Sequence, residues 1–212
     1  MRVLGDARAW SRTFPRHLIP RILDLVVNTW RRFDKPQPDE WEVTITRRFR
    51  RALKVTKDLK RLPFRIDRES VEDDFETGAE LGRLDLRFTP AGSAREEVYF
   101  TFECKRLNVP SNGSCRPLAS EYVKEGMMRF VSSQYAGHLQ DGGMIGYVLD
   151  GRTSTAISAV EKSVQDNQRE LQMRAPAEIG RSSLRPRDPR IRETRHQLTR
   201  GPFRIHHLFL AC

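Results

Sequence analysis

The chain has 212 residues and carries 38 lysines and arginines against 28 aspartates and glutamates, a formal net charge of +10. This length suits one domain with its own hydrophobic core, so we expect a single domain over residues 1–212. The sequence holds no run of about 18 apolar residues, and its first residues lack the features of a secretory signal, which predicts a cytoplasmic protein without membrane contact. The basic excess favours a polyanionic partner.

Two helices are predicted before residue 62. Apolar residues recur at helical spacing over residues 14–33, which are entered through a proline. A second helix is predicted to start near Pro38, with arginines on one side and an apolar stripe on the other. The stripe carries Ile45, Phe49, Ala52 and Leu53. It begins with an acid, Glu42, which is unusual for a buried face.

Two adjacent strands are predicted in the middle of the chain. Residues 62–67 are a short strand candidate, and an acidic polar loop follows over residues 69–80. Within residues 82–88, three apolar residues alternate with polar ones, which is typical of a strand with one buried face. The turn over residues 89–96 leads into a second strand over residues 97–107. We therefore predict an antiparallel hairpin.

The C-terminal half predicts two more helices, a buried strand, a basic loop and a last strand. Residues 119–135 and 153–173 have helical apolar spacing, and residues 142–151 form a buried strand between glycines. The order strand, helix, strand predicts a parallel pairing. Residues 175–201 are rich in arginine and proline, so an extended or mobile basic loop is expected. Residues 203–211 are the final strand candidate.

The second strand of the predicted hairpin has an unexpected polar face. Phe100, Phe102 and Cys104 share one face, while Thr101, Glu103 and Lys105 share the other. Glu103 and Lys105 are then about 6.6 Å apart along the strand, with Asp85 on the neighbouring strand. The alternative is a solvated face with a cross-strand ion pair, worth at most about 1 kcal/mol.

Two carboxylates at this position favour a bound cation. At about 4 Å and an effective dielectric constant near 20, like charges repel by roughly 4 kcal/mol, so two nearby carboxylates need a cation to stay ionised. Oxygen ligands prefer Mg²⁺ or Mn²⁺ to zinc, and Mg²⁺ typically takes one or two carboxylates with water and phosphate oxygens. A phosphodiester substrate would complete such a coordination shell.

The order of Asp85, a connecting turn and then Glu103-Cys104-Lys105 resembles the motif of the PD-(D/E)XK nuclease superfamily. The resemblance covers about residues 38–150 and implies an α/β fold with a restriction-endonuclease-like core. In such a core, a mixed central sheet, made of a β-meander and a parallel strand, is flanked by helices. The N-terminal helix, the basic loop over residues 175–201 and the C-terminal strand would be additions to it.

The resemblance also implies roles for individual residues. Asp85 and Glu103 would bind the metal, Cys104 would offer its backbone carbonyl, and Lys105 would position or activate the attacking water. The implied cofactor is Mg²⁺, with Mn²⁺ as an alternative. Many members carry another acid on the helix before the meander, and Glu42 is the candidate here. A plain surface acid in the first helical turn is the other interpretation of Glu42.

Two departures from the family pattern are visible. Leu84 stands where the motif has its proline. No QxxxY pattern follows on the next helix, because Gln134 and Tyr135 are adjacent, and this argues against the exonuclease branch that carries that signature.

Several basic residues are candidates for contacts with a phosphate backbone. Lys124 and Arg129 lie on the helix that follows the motif. The late basic segment supplies Arg185, Arg187, Arg190 and Arg192. A solvated tract is the alternative for this segment.

The histidines and cysteines do not indicate a metal site. His206 and His207 are adjacent on a strand and must point to opposite faces, so they are expected as core or surface residues. The chain has three cysteines, an odd number without metal-ligand spacing, which favours reduced thiols over disulfides or zinc. They are Cys104, Cys115 and Cys212.

The sequence thus predicts a magnesium-dependent endonuclease acting on nucleic acid, with DNA favoured over RNA. A role as an effector of bacterial defence against phage or plasmids follows from the family resemblance, and a partner protein or a homo-oligomer would supply target selection. One alternative is a catalytically inactive nucleic-acid-binding or scaffold subunit with the same fold. Another is a basic ribonucleoprotein component that does not depend on divalent ions.

Overall fold

The structure is a computed structural model. It describes residues 14–67, 70–73, 80–93, 95, 97–111, 113–132 and 139–212. The described helices are α1 (Ile19–Arg32), α2 (Glu42–Leu59), α3 (Ala119–Glu121), α4 (Met128–Val131) and α5 (Thr153–Asp166). A 3-10 turn (Arg16–Leu18) precedes α1, and a π-helical segment (Tyr122–Met127) joins α3 to α4. The described strands are β1 (Phe64–Asp67), β2 (Ser70–Asp73), β3 (Glu80–Leu84), β4 (Leu86–Pro90), β5 (Phe100–Leu107), β6 (Val109–Ser111), β7 (Ser114–Arg116), β8 (Asp141–Val148), β9 (Gly180–Arg181), β10 (Ile191–Leu198) and β11 (Gly201–Ala211).

The described strands form a seven-stranded mixed sheet in the order β1-β4-β5-β8-β11-β10-β9. Strands β1, β4 and β5 are antiparallel neighbours, and β8 lies parallel to both β5 and β11. Strand β10 pairs antiparallel with β11. The predicted α/β class with a mixed sheet is confirmed, as are the hairpin of β4 with β5 and the parallel pairing of β5 with β8.

Helices cover both faces of the sheet. On one face, Trp30 of α1 stacks on Tyr147 of β8 with ring centroids 5.3 Å apart, and Phe49 of α2 meets Trp30 edge-on at 5.0 Å. On the other face, Tyr122 stacks on Phe209 of β11 at 6.0 Å. Because both faces are covered, every residue of β8 is buried, as its apolar and glycine-rich sequence predicts. None of the described helices has the length and apolar character needed to cross a membrane.

The prediction of one continuous strand over residues 82–88 is wrong. The chain bends at Asp85, which separates β3 from β4. On the N-terminal side of that bend, β3 pairs with β2 in a separate two-stranded ribbon. Part of the predicted loop over residues 69–80 is therefore also strand. The bend is stabilised by the Asp85 carboxylate, because Oδ2 accepts a hydrogen bond of 2.8 Å from the backbone N–H of Cys104.

The prediction of an extended or mobile loop over residues 175–201 is also wrong. It contains β9 and β10, and β10 pairs with β11 along its whole length. Three of the buried positions of β10 hold polar residues, Glu193, Thr194 and His196. Each of these side chains has a hydrogen-bond partner inside the fold, which makes its burial favourable. Because these buried positions are polar, the strand lacks the apolar alternation by which strands are predicted.

Helix boundaries differ from the predictions in the second half of the chain. Helix α5 ends at Asp166, seven residues before the predicted end, and turns follow it. The predicted helix over residues 119–135 is helical from residue 119 to residue 131, with the π-helical segment at its centre. Gln134 and Tyr135 lie outside the described residues. The predicted C-terminal strand is confirmed by β11.

His206 and His207 are both fully buried and point to opposite faces of β11, as predicted. His206 Nε2 lies 3.1 Å from Asp141 Oδ1. The three cysteines, predicted as reduced thiols, are not paired with one another in the structure.

A buried chain of hydrogen bonds joins the helical segment after β7 to β10. The hydroxyl of Tyr122 lies 3.0 Å from His207 Nδ1, and His207 Nε2 lies 2.9 Å from Thr194 Oγ1. Thr194 Oγ1 lies 2.8 Å from His196 Nε2, and His196 Nδ1 lies 2.7 Å from the carbonyl oxygen of Leu171. The histidines are therefore structural and are committed to interactions within the core.

Candidate active site

The site lies where β5 extends past the end of its pairing with β4. The pairing of β4 with β5 ends at Leu86 and Phe102, while β5 continues to Leu107 beside β8. Alternate N–H groups of a strand point to the same edge, so the N–H groups of Cys104 and Arg106 both face the open edge. Buried backbone donors need partners, and carboxylates supply them here.

Among the residues that the structure describes, Asp85 and Glu42 place carboxylates at this open edge. Asp85 Oδ2 accepts a hydrogen bond of 2.8 Å from the Cys104 N–H, and Glu42 Oε2 accepts one of 2.9 Å from the Arg106 N–H. Glu42 is the first residue of α2, so the start of that helix is fixed against β5. The two acids thus take the place of a neighbouring strand, and the predicted acids from three different elements come together around β5.

Glu103 is an almost fully buried acid of the site, with 1% of its side chain exposed. Its Oε1 lies 3.2 Å from Lys105 Nζ and 3.0 Å from Arg129 Nη1. Its Oε2 has no hydrogen-bond partner among the described residues. Lys105 Nζ also lies 3.4 Å from Glu42 Oε1, so this ammonium group connects two of the three acids. A solvated strand face, the alternative for Glu103 and Lys105, is contradicted by this burial.

Burial perturbs the acid–base properties of the site. It raises the pKa of Glu103 to about 8, and the charge of Asp85 adds to this effect, while Lys105 and Arg129 oppose it. Burial also raises the pKa of Asp85 to about 6, against the hydrogen bond from Cys104. Burial alone would lower the pKa of Lys105, but attraction to the carboxylates of Glu103 and Glu42 raises it by more. The pKa of Lys105 therefore lies above its ordinary value. Perturbed groups of this kind cluster at functional sites.

The arrangement fits a hard divalent cation. Asp85 and Glu103 offer carboxylate oxygens, and the Cys104 carbonyl faces the same edge as its N–H group. Within the described residues no group of three or more His, Cys, Asp or Glu side chains is arranged to hold a metal ion. Mg²⁺ needs only one or two carboxylates from the protein and takes water and phosphate oxygens for the rest.

Gly126 brings the helical segment after β7 close to the site. A Cβ atom on Gly126 would lie 2.4 Å from Met144 Cε and 3.5 Å from Lys105 Cγ. The glycine lies in the π-helical segment, a feature found frequently at functional sites. The close approach lets α4 carry Arg129 to Glu103, so Arg129, predicted as a phosphate contact, is part of the charged cluster. Lys124, on the same segment, is exposed.

The side-chain contacts of the late arginines lie outside the site. Arg192 is on β10, which β8 and β11 separate from β5 by three strand spacings, about 14 Å. Arg185 binds the Asp24 carboxylate and the Pro20 carbonyl of α1.

The other arginines of this segment differ in their contacts. Arg190 binds Asp188 through Nε and Nη2 at 2.9 and 2.7 Å, and Arg192 Nε donates to the Pro189 carbonyl at 3.1 Å. Arg187 is exposed. Arg185 therefore holds the segment to α1, whereas the side-chain contacts of Arg190 and Arg192 lie within the segment itself.

One basic surface near the site was not predicted as functional. Helix α2 starts at the site with Glu42, and Arg47 and Arg51 lie one turn apart on its exposed face. The signal in the sequence is the run of arginines opposite the apolar stripe. The late segment has more arginines, but α2 is the basic element that begins beside Asp85 and Glu103.

Glutamine in place of Glu103 is expected to change the pH dependence of stability in metal-free protein. Folding raises the pKa of Glu103 from 4.5 to about 8, so between these values the folded chain holds a proton that the unfolded chain has released. The free energy of unfolding of the wild type therefore falls through this window, by up to about 1.4 kcal/mol per pH unit from this group. Glutamine does not titrate, so urea unfolding should show Glu103→Gln gaining stability relative to wild type as pH rises.

The exposed Glu125 provides the control for this measurement. Glu125→Gln is a surface substitution, so its free energy of unfolding should stay within about 0.5 kcal/mol of the wild type across this pH range. Parallel profiles for wild type and Glu103→Gln would contradict the assignment of a raised pKa to Glu103.

Comparison of the chain with protein-family models, with curated proteins and with solved structures finds no match. Any assignment of function therefore depends on the chemistry of Glu42, Asp85, Glu103, Lys105 and Arg129, which the fold brings together.

Proposed function

We propose that the protein is a metal-dependent nuclease that hydrolyses phosphodiester bonds of nucleic acid, with Mg²⁺ as cofactor and Mn²⁺ as a substitute, on a restriction-endonuclease-like core. One observation carries the proposal: Glu103 is buried beside Asp85 with Oε2 unsatisfied. A buried carboxyl oxygen without a partner costs free energy, and a bound cation would remove that cost. Burial raises the pKa values of these two adjacent acids in the absence of a cation, and a bound cation would favour their ionised forms, which are its ligands.

The roles of the residues follow from their contacts. A divalent cation held by Asp85, Glu103 and the Cys104 carbonyl would lower the pKa of a bound water and polarise the scissile phosphate. Lys105 Nζ, 3.2 Å from Glu103, would orient the attacking water or stabilise negative charge that develops on the phosphate oxygens. Arg129 would supply a second positive charge on the same side.

Glu42 would act as a positioning residue. Its Oε1 lies 3.4 Å from Lys105 Nζ and its Oε2 accepts from the Arg106 N–H, so the carboxylate limits the positions open to the lysine. Glu42 could also bind the metal, because loss of its contact with Lys105 or with the Arg106 N–H would leave a carboxylate oxygen available at the edge of the site.

The net charge of +10 supports a polyanionic substrate. Lys124 and the face of α2 with Arg47 and Arg51 lie on elements that contribute to the site and would contact the phosphate backbone. The preference for DNA over RNA, the role in anti-phage or anti-plasmid defence, and a partner protein or second copy for target selection rest on the family resemblance alone.

The direct test incubates the purified protein with plasmid, single-stranded DNA and RNA, each with Mg²⁺, Mn²⁺ or a chelator. We expect cleavage of at least one substrate with either metal and none with chelator. Mg²⁺ should also raise the melting temperature of the wild type but not of Asp85→Asn, because a cation that binds only the folded state stabilises it. Cleavage that persists in chelator, or no cleavage of any substrate, would contradict the proposal.

A second candidate function is a nucleic-acid-binding or scaffold subunit without catalysis. It is favoured by the two cations already in contact with Glu103 Oε1, since Lys105 and Arg129 offset much of the negative charge without a metal. For this function, Mg²⁺ would leave the melting temperature unchanged. Asp85→Asn would leave salt-dependent binding unchanged or tighten it, because one repulsive carboxylate is lost.

A further inference from the structure

An exposed tryptophan lies beside the candidate site. The side chain of Trp41, the residue before α2, is 74% exposed, whereas Trp30 is 3% exposed in the core. Trp41 is joined by one peptide bond to Glu42, which contacts Lys105. Tryptophan is enriched at binding surfaces, because its ring offers a large apolar area and its N–H a hydrogen bond.

The backbone around Trp41 is held in place on both sides. The Trp41 carbonyl accepts hydrogen bonds from the N–H groups of Thr44 at 2.9 Å and Ile45 at 3.0 Å. The Glu40 carboxylate receives two hydrogen bonds from Arg48, at 2.8 and 2.6 Å. The exposed indole therefore projects from a fixed segment, and binding to it would cost little ordering of the chain.

Arg106 links the indole to the site. Its guanidinium carbon lies 5.5 Å from the centre of the Trp41 ring, within the range of a cation–π contact. Its Nη1 donates to the Glu40 carbonyl at 3.3 Å, and its backbone N–H donates to Glu42. An aromatic ring and a guanidinium group thus lie together, next in sequence to Glu42 and Lys105.

We propose that Trp41 and Arg106 form a stacking site for an unpaired base of the nucleic-acid substrate, next to the scissile phosphodiester bond. Nucleobases stack on indole and guanidinium planes irrespective of sequence, and the adjacent phosphate would meet the positive charge of Arg106. Bases within a duplex are covered on both faces by their neighbours, so this site requires single-stranded substrate at that position. The inference rests on the proposed function, because that function places the phosphodiester bond beside Asp85 and Glu103.

Binding is measured in chelator, which prevents cleavage, with a single-stranded oligonucleotide and with closed circular duplex. The single strand should quench the tryptophan fluorescence of the wild type, and most of this quenching should be lost in Trp41→Leu. Trp41→Leu should bind the single strand about tenfold more weakly, and Trp41→Phe should retain most of the affinity. Leu59 lies at the far end of α2 and is 81% exposed. Leu59→Ala should therefore show wild-type affinity and wild-type quenching.

Three results would overturn the stacking site: no quenching by the single strand, unchanged affinity in Trp41→Leu, or equal weakening of binding to circular duplex. The first would be expected if Trp41 contacts a protein partner. Cleavage by wild type together with unchanged affinity in Trp41→Leu would remove the stacking site and leave the nuclease proposal intact. If the wild type cleaves no substrate but the single strand quenches its fluorescence, and Trp41→Leu binds that strand about tenfold more weakly, the stacking site is supported and the nuclease proposal is wrong.

Discussion

Lys105→Ala is expected to lower the rate of metal-dependent cleavage by about 100-fold or more, with the fold retained. The ammonium group lies between Glu42 and Glu103, at 3.4 and 3.2 Å, and only 13% of its side chain is exposed. Removal of a single group that stabilises developing charge typically costs 100- to 1,000-fold in rate. Initial rates at saturating Mg²⁺ and substrate measure the loss.

Lys124→Ala is the matched control, because Lys124 is exposed on the helical segment that packs against Lys105. It should weaken binding in a salt-dependent way and leave the maximal rate close to wild type. Asp85→Ala and Glu103→Ala should also remove cleavage. If all three active-site variants cut at the wild-type rate with added Mg²⁺, the site is assigned wrongly.

Gly143→Ala is expected to lower the free energy of unfolding by about 3 kcal/mol, the upper end of the usual cost of overpacking a core. A Cβ atom on Gly143 would lie 2.2 Å from Cδ1 of Phe102, its partner on β5. Phe102 is fully buried, with ring centroids 5.1 Å from Phe100 and 5.9 Å from Phe88, so it has no free space to occupy. Urea unfolding measures the effect.

Gly180→Ala tests whether this loss comes from packing. The nearest atom to a Cβ on Gly180 would be 3.8 Å away, an ordinary contact, so stability should change by less than about 0.5 kcal/mol. Equal losses in the two variants would contradict the packing argument. Because Phe102 precedes Glu103 on β5, Gly143→Ala should also reduce any activity of the site.

The elements around the site were predictable because their patterns are local. Alternation indicates β5, helical spacing indicates α1 and α2, and the helix between β5 and β8 indicates parallel strands. The hairpin of β4 with β5 then brings Asp85 close to Glu103 and Lys105 without any knowledge of distant contacts. This is why the three residues could be grouped from the sequence.

The other features depend on partners far away in the chain. Glu42 is 63 residues from Lys105, and no local pattern specifies their contact. Arg129 was expected at a phosphate, but its partner Glu103 is defined only by the packing of α4 on the sheet. Strand β10 was missed because Glu193, Thr194 and His196 are polar at buried positions, and only their partners make that burial favourable.

The hydrogen-bond chain between Tyr122 and Leu171 has a fixed polarity. A carbonyl oxygen only accepts, so His196 carries its hydrogen on Nδ1 and presents a bare Nε2 to Thr194. The threonine must then donate to His196 and accept from His207, which leaves the lone pair of His207 Nδ1 for the phenol of Tyr122. Each imidazole is thereby confined to one neutral tautomer, and the arginine-rich end of the chain is fastened to the helical segment that carries Arg129.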